Sequence, residues 1–238
     1  MNKSKILIGL VLLLYLLYVV FQISGFVVMA EKVRCFIFPV VALTYFLSVR
    51  RRSVLFALFM VFYSVSDILY IFSDSIGNEI DYYIGNYLYI LAYIMLLIKI
   101  CKSISFMHLL KNLKMHSLVL LILNIYIVYV LQMIIDQRIP EGGHGYVLEM
   151  LYNSVILLLL STSLLNYFYR DNKKSLYLFI GSLCIVFSEV ISVAYLYVTK
   201  QELLDFFALS LALLAFYFFY QQSKINNTQR SSNAIVLE

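Results

Sequence analysis

The sequence predicts an all-α protein that crosses a membrane about eight times, and three observations predict it. The first is composition. Of 238 residues, 63% are hydrophobic and 13% are charged. A soluble domain runs nearer about 45–50% apolar and 25% charged, so lipid must be the solvent for much of this surface. The second is segmentation into eight apolar runs of roughly 17–23 residues, the length that spans about 30 Å of hydrocarbon as a helix. The third is sorting of charge. With the N-terminus inside, fourteen of the eighteen Lys and Arg residues fall on the cytoplasmic side. Only Lys32, Arg34, Arg138 and Lys200 fall opposite. Under the positive-inside rule this predicts an N-in, C-in arrangement.

The runs are Ile6–Ile23, Val33–Val49, Val54–Phe72, Tyr83–Ile100, Ser117–Ile135, Tyr146–Phe168, Ser175–Tyr197 and Leu203–Tyr220. The first is longer than the apolar core of a usual signal peptide, although Val28-Met29-Ala30 resembles a cleavage site. The second carries Pro39 near its start, where proline is better tolerated. Stretches such as Val155–Leu160 do not alternate, which excludes a transmembrane barrel. Between the fourth and fifth runs, Lys102–His116 reads either as an amphipathic interfacial helix, with Phe106, Leu109, Leu110 and Leu113 on one face, or as an ordinary loop. One transmembrane domain, 1–220, is expected, followed by a polar cytoplasmic tail, 221–238, without fixed structure.

Several chemistries are set aside. Cys35, Cys101 and Cys184 are odd in number and widely spaced, so they read as packing residues, with Cys101 placed for palmitoylation. His108, His116 and His144 lie in loops, which argues against membrane haem or a His-based zinc hydrolase. There is no mid-membrane lysine, P-loop, HExxH or GxSxG. No cofactor, metal or nucleic acid is expected; the expected partners are membrane lipids. A bacterial-type cell membrane is the expected location.

The residues that carry chemistry are the two carboxylates inside apolar runs, Asp67 in the third and Glu189 in the seventh. Intramembrane acids are costly and mark functional sites by default. Each follows a basic residue, Arg52 or Lys174, by 15 positions. On helix rise both lie about 22 Å above the cytoplasmic boundary. Their flanks agree: Val65-Ser66-Asp67-Ile68 and Phe187-Ser188-Glu189-Val190. This suggests two halves of four helices in parallel repeat. Other polar residues share their depth. Tyr63, Asp67, Tyr70 and Asp74 follow one helical face, as do Tyr82, Asn86, Tyr89 and Tyr93. Glu149 and Asn153 share a face of the sixth run, and Ser182, Glu189 and Ser192 a face of the seventh. These groups predict a polar pocket with Asp67 and Glu189 as reacting acids. Its lining is Tyr63, Tyr70, Asn86, Tyr89, Tyr93, Asn153, Ser188 and Ser192. The alternative is that the same groups satisfy one another as glue between helices.

The pattern resembles the YhhN family of multi-pass proteins, whose characterised members are lysoplasmalogenases. The resemblance spans roughly Lys32 to Tyr220. Lys32 and Pro39 match the start of the family's second helix. Phe62 and Asp67 match its third, with Tyr63 and Ser66 replacing a serine and a glycine. Gly85 and Tyr89 match its fourth, with Tyr93 where a histidine would stand. Gly181, Ser188 and Glu189 match its seventh, with Ser182 and Ile185 substituted and glutamate replacing aspartate. The resemblance implies hydrolysis of the vinyl ether of a lysoplasmalogen. One carboxylic acid would protonate the β-carbon, and a second carboxylate would stabilise the oxocarbenium ion or activate water. Two acids close together in low dielectric cannot easily both ionise, so one keeps its proton as donor. The alternative is a non-enzymatic carrier or receptor for a small amphiphile or protons, using the same pocket.

Overall fold

The computed structural model describes residues 3–49, 52–72, 78–104, 113–136 and 143–225. Among them every regular element is helical. Eight long helices follow one another: α1 (Lys3–Ile23), α2 (Val27–Ser48), α3 (Val54–Leu69), α4 (Asn78–Cys101), α5 (Lys114–Asp136), α6 (His144–Arg170), α7 (Lys173–Val193) and α8 (Glu202–Lys224). A 3₁₀ turn, Tyr70–Phe72, ends α3, and a π-helical turn, Ala194–Val198, ends α7. All but α2 are long and apolar enough to cross a membrane. The chain is a helical multi-pass membrane protein.

Several boundaries differ from expectation, for one reason. Hydropathy marks the hydrocarbon, whereas backbone hydrogen bonding continues beyond it. Helix α2 starts at Val27, six residues before its apolar run, and so takes Glu31, Lys32 and Arg34 into its first two turns. Pro39 therefore sits in the helix interior, where it cannot donate to the Cys35 carbonyl. The expected tail also begins later. Gln221–Lys224 belong to α8, and Gln222 is buried, accepting from Lys99 Nζ at 3.2 Å. Residues 226–238, Asp74 and most of the Lys102–His116 segment lie outside the described residues.

Local chemistry explains the turns. Gly25, with φ 77°, makes the left-handed step between α1 and α2. Asp171, at φ 40°, ends α6. Asn172 then caps α7: its side chain accepts from the Ser175 amide at 2.9 Å, and the Ser175 hydroxyl returns the contact. The turn is tight enough to set α6 and α7 side by side.

Helices α1 and α5 are the most lipid-exposed, carrying bare side chains such as Leu12, Leu16, Ile122 and Ile125. Helix α6 is the most enclosed. The most extensive packing joins α7 to α8. Gly181 permits it, since a Cβ there would stand 2.5 Å from the Phe219 ring. The core is aromatic: Phe59 stacks on Phe216 with centroids 5.5 Å apart, and Phe38, Phe56 and Phe219 surround them. One seam differs. Helix α8 meets α1 and α2 through long side chains rather than close backbone packing. Tyr15 and Ser210 hydroxyls lie 2.8 Å apart. Asp205 accepts from Tyr18 at 2.6 Å and from Arg34. A groove of about 310 Å³ follows this seam between α1 and α8, lined by Val19, Gln22, Ile23, Glu202, Leu203 and Phe206.

Candidate active site

Asp67 stands two residues before the end of α3, and Glu189 four residues before the end of α7. Each is preceded by a serine whose hydroxyl donates to a carbonyl of the next helix. Ser66 donates to Gly85 at 2.9 Å, and Ser188 to Ala208 at 2.6 Å. Both serines are buried. The bond fixes the height of the acid-bearing turn against its neighbour. At Gly85 the approach is close but relaxed, since an added Cβ would meet Ser66 Oγ at 3.5 Å.

Both acids then converge on α4. Tyr89 donates to Asp67 Oδ1, and Tyr93 donates to Glu189 Oε1. The two tyrosines are one turn apart, about 6 Å along the axis. Tyr63 completes a ladder: its ring meets Tyr89 edge-on at 4.9 Å and Tyr93 at 6.1 Å. Tyr152 from α6 packs edge-on against Tyr93 at 5.9 Å. Asp67 and Glu189 thus hang from adjacent turns of α4 in one tyrosine cluster. Arg34 of α2 is tied to α8. Its guanidinium is bonded to Asp205, with side chains 36% and 8% exposed.

Satisfaction is incomplete at two points. Asp67 Oδ2 is buried without a partner, and so are both amide atoms of Asn153, a residue with no exposed surface. Buried polar groups are normally paired, so such atoms are where a polar ligand would be received. They weigh against glue alone.

Of the expected lining, Tyr63, Tyr89 and Tyr93 join the acids, and Asn153 is buried with its amide unpaired. Tyr70 does not join them: on its 3₁₀ turn it donates to Glu31 at 2.6 Å. Asn86 bonds within its own helix, to the Tyr82 carbonyl at 2.9 Å. Ser188 is an anchor, and Ser192 is half-buried. Arg34, Glu149 and Asp205, near the ends of their runs, also lie inside helices, the two acids buried. Glu149 accepts from Tyr82 at 2.6 Å and from Tyr197 at 3.0 Å, on the π-helical turn. Sequence reading missed these roles because each charge lies within a few residues of a run's edge. Tyr152 was missed because tyrosines are common at membrane interfaces. Its place between Glu149 and Asn153 was the available clue.

Among the described residues no three His, Cys, Asp or Glu side chains are grouped as a metal site requires. The arrangement can instead hold and move protons, with carboxyls separated by hydroxyls inside an apolar bundle. Comparison with known proteins returned no matching family model, no matching curated protein and no matching solved structure.

Proposed function

We propose that the protein is a membrane lipid hydrolase of the YhhN type that cleaves the vinyl ether of a single-chain ether phospholipid. The observation that carries this reading is the convergence of two acids, from α3 and α7, on adjacent turns of α4. The unpaired Oδ2 of Asp67 suits the proton donor. The proton goes to the β-carbon of the vinyl ether, leaving an oxocarbenium ion. Glu189, oriented by Tyr93, suits the carboxylate that stabilises this cation and takes a proton from attacking water. The hemiacetal so formed collapses to a fatty aldehyde and a glycerophospho-base. Purified protein given a panel of lysolipids should release aldehyde only from vinyl-ether species. Release from none of them, with binding of one, favours the carrier or receptor reading instead.

Two features of the wider architecture belong to the same proposal. The paired serine anchors, Ser66 to α4 and Ser188 to α8, support a parallel 4+4 repeat. The exposed outer positions of α1 and α5 agree with it. The charge asymmetry supports N-in, C-in orientation in a bacterial-type cell membrane. In a background lacking native cysteines, His144→Cys should react with an impermeant thiol reagent on intact cells and Ser53→Cys should not. The reverse pattern overturns the orientation.

A further inference from the structure

Arg34 is a cation inside α2 with donors to spare. It stands seven residues after Val27, where α2 starts, so its backbone lies about 10 Å along the helix axis. A guanidinium carries five N–H groups. Here Nη1 binds Asp205 Oδ1, and among the described residues the other donors meet no acceptor. Asp205 is itself fixed, since Tyr18 of α1 donates to its second oxygen at 2.6 Å. The pair draws one corner of the guanidinium to α8 and leaves the Nε–Nη2 edge unpaired, on a side chain 36% exposed. Contacts on either side of Arg34 fix its level against α3. Glu31 accepts from Tyr70 at 2.6 Å, and Phe38 meets Tyr63 edge-on with centroids 5.0 Å apart. Helices α2 and α3 run in opposite directions through a short turn. Arg34 stands three residues beyond Glu31, and Asp67 three before Tyr70. Arg34 stands four before Phe38, and Asp67 four beyond Tyr63. Steps of three and four keep to one helical face, so Arg34 and Asp67 are level on facing stripes. Yet they do not pair: Arg34 goes to α8, and Asp67 Oδ2 is buried without a partner. An arginine that merely snorkels to the membrane surface would not need Asp205 and Tyr18 to hold it.

We propose that Arg34 receives the phosphate of the single-chain phospholipid, and that Asp205 and Tyr18 hold it in position to do so. A guanidinium edge and a phosphate match through two parallel N–H···O bonds, which give direction as well as charge. Glycerol joins that phosphate to the vinyl ether. With the phosphate on Arg34, the ether is a glycerol's length from the level of Asp67, the proposed donor. The same contact sorts ligands by head group, since a glycerol ether without phosphate offers Arg34 no anion. Arg34 is thus a binding and specificity residue, at which no bond is made or broken. The inference rests on the hydrolase reading for the identity of the ligand.

The test reads binding rather than cleavage. Titration calorimetry, in non-ionic detergent and phosphate-free buffer, compares two saturated ethers that the reaction cannot cleave: the hexadecyl ether of glycerophosphocholine and the hexadecyl ether of glycerol. Wild type should bind the first more tightly. Arg34→Gln should weaken that binding roughly tenfold to hundredfold, the scale of hydrogen bonds to a charged group, and leave the second ether unchanged. Arg34→Lys should fall between, because it keeps the charge and loses the fork. Lys32→Gln, which removes an exposed charge two residues away, should match wild type. Should Arg34→Gln not fold, because Asp205 is left without its cation, Arg34→Gln with Asp205→Asn removes both charges and should show the same loss. Unchanged affinity for the phosphate ether overturns the proposal, as does an equal loss for both ethers or for Lys32→Gln. A wild type that does not distinguish the ethers overturns it too. Inorganic phosphate bound as tightly as the phospholipid ether would make Arg34 a site for the free ion and overturn the head-group assignment. Failure to release aldehyde bears on the two acids, and loss of the phosphate preference bears on Arg34, so the two failures are told apart.

Discussion

The Ser66-Asp67 turn of α3 and the Ser188-Glu189 turn of α7 are anchored alike and surrounded differently. In both, the serine ties the turn to a carbonyl of the following helix. Beyond that point they diverge. Asp67 takes its hydrogen bond from the helix that also anchors its serine, and one of its oxygens stays unpaired. Glu189 takes its bond from α4, although its serine is anchored on α8. Phe216 of α8 packs beside Phe59 and Tyr63. One local device repeated twice thus yields an acid held within a single pair of helices and an acid held by a third helix. Division of labour between two carboxyls follows from surroundings rather than from residue type.

The largest expected effect tests that division. Asp67→Asn and Glu189→Gln should each lower vinyl-ether cleavage by roughly 10²–10⁴-fold, the usual cost of losing a general acid or base. The amides keep shape but neither donate a carboxylic proton nor hold charge. Aldehyde release from folded, monodisperse protein is the measurement. Glu189→Asp should retain activity, since it shortens the arm and keeps the group. Equal activity in the wild type and both amides would remove the two-acid mechanism.

A smaller effect sharpens the comparison. Tyr89→Phe strips the hydrogen bond from an Asp67 that already has a buried unpaired oxygen, whereas Tyr93→Phe acts on a Glu189 that has none. A hydrogen bond to a charged group contributes about 1.5–3 kcal/mol, so thermal unfolding in detergent should show the greater loss for Tyr89→Phe. Equal losses would mean that the two environments are interchangeable.

The smallest effect compares the glycines at the two helix contacts. Gly181→Ala drives a methyl into the Phe219 ring and should cost about 1–3 kcal/mol, as overpacking does. Gly85→Ala meets only Ser66 Oγ at van der Waals distance and should be nearly silent. The same unfolding assay reads both. A Gly85 variant as damaged as the Gly181 variant would contradict the looser contact described for α3 and α4.

The sequence showed the helices and the two acids clearly, because a carboxylate in an apolar run has no cheap explanation. It showed the rest poorly for a physical reason. A charge near the edge of a run reads as the edge itself, so Arg34, Glu149 and Asp205 did not stand out as Asp67 and Glu189 did. The helices extend past the hydrocarbon, and partners from distant segments enclose these charges: Tyr18 for Asp205, and Tyr82 and Tyr197 for Glu149. Partnership over 48 to 187 positions leaves no mark in local pattern. The sharing of both acids by α4 was half legible. The spacing of Tyr89 and Tyr93 placed them on one face, but nothing in it told which acid each would meet.

The seam between α8 and the first two helices bears on how the chain is made. Arg34 emerges from the ribosome 171 residues before Asp205, the acid that neutralises it. Until α8 is in place, Arg34 lacks that carboxylate and Tyr18 lacks its acceptor. Helix α8 is therefore the keystone of this seam. A chain that stops before Glu202 leaves both groups without the partner that α8 supplies.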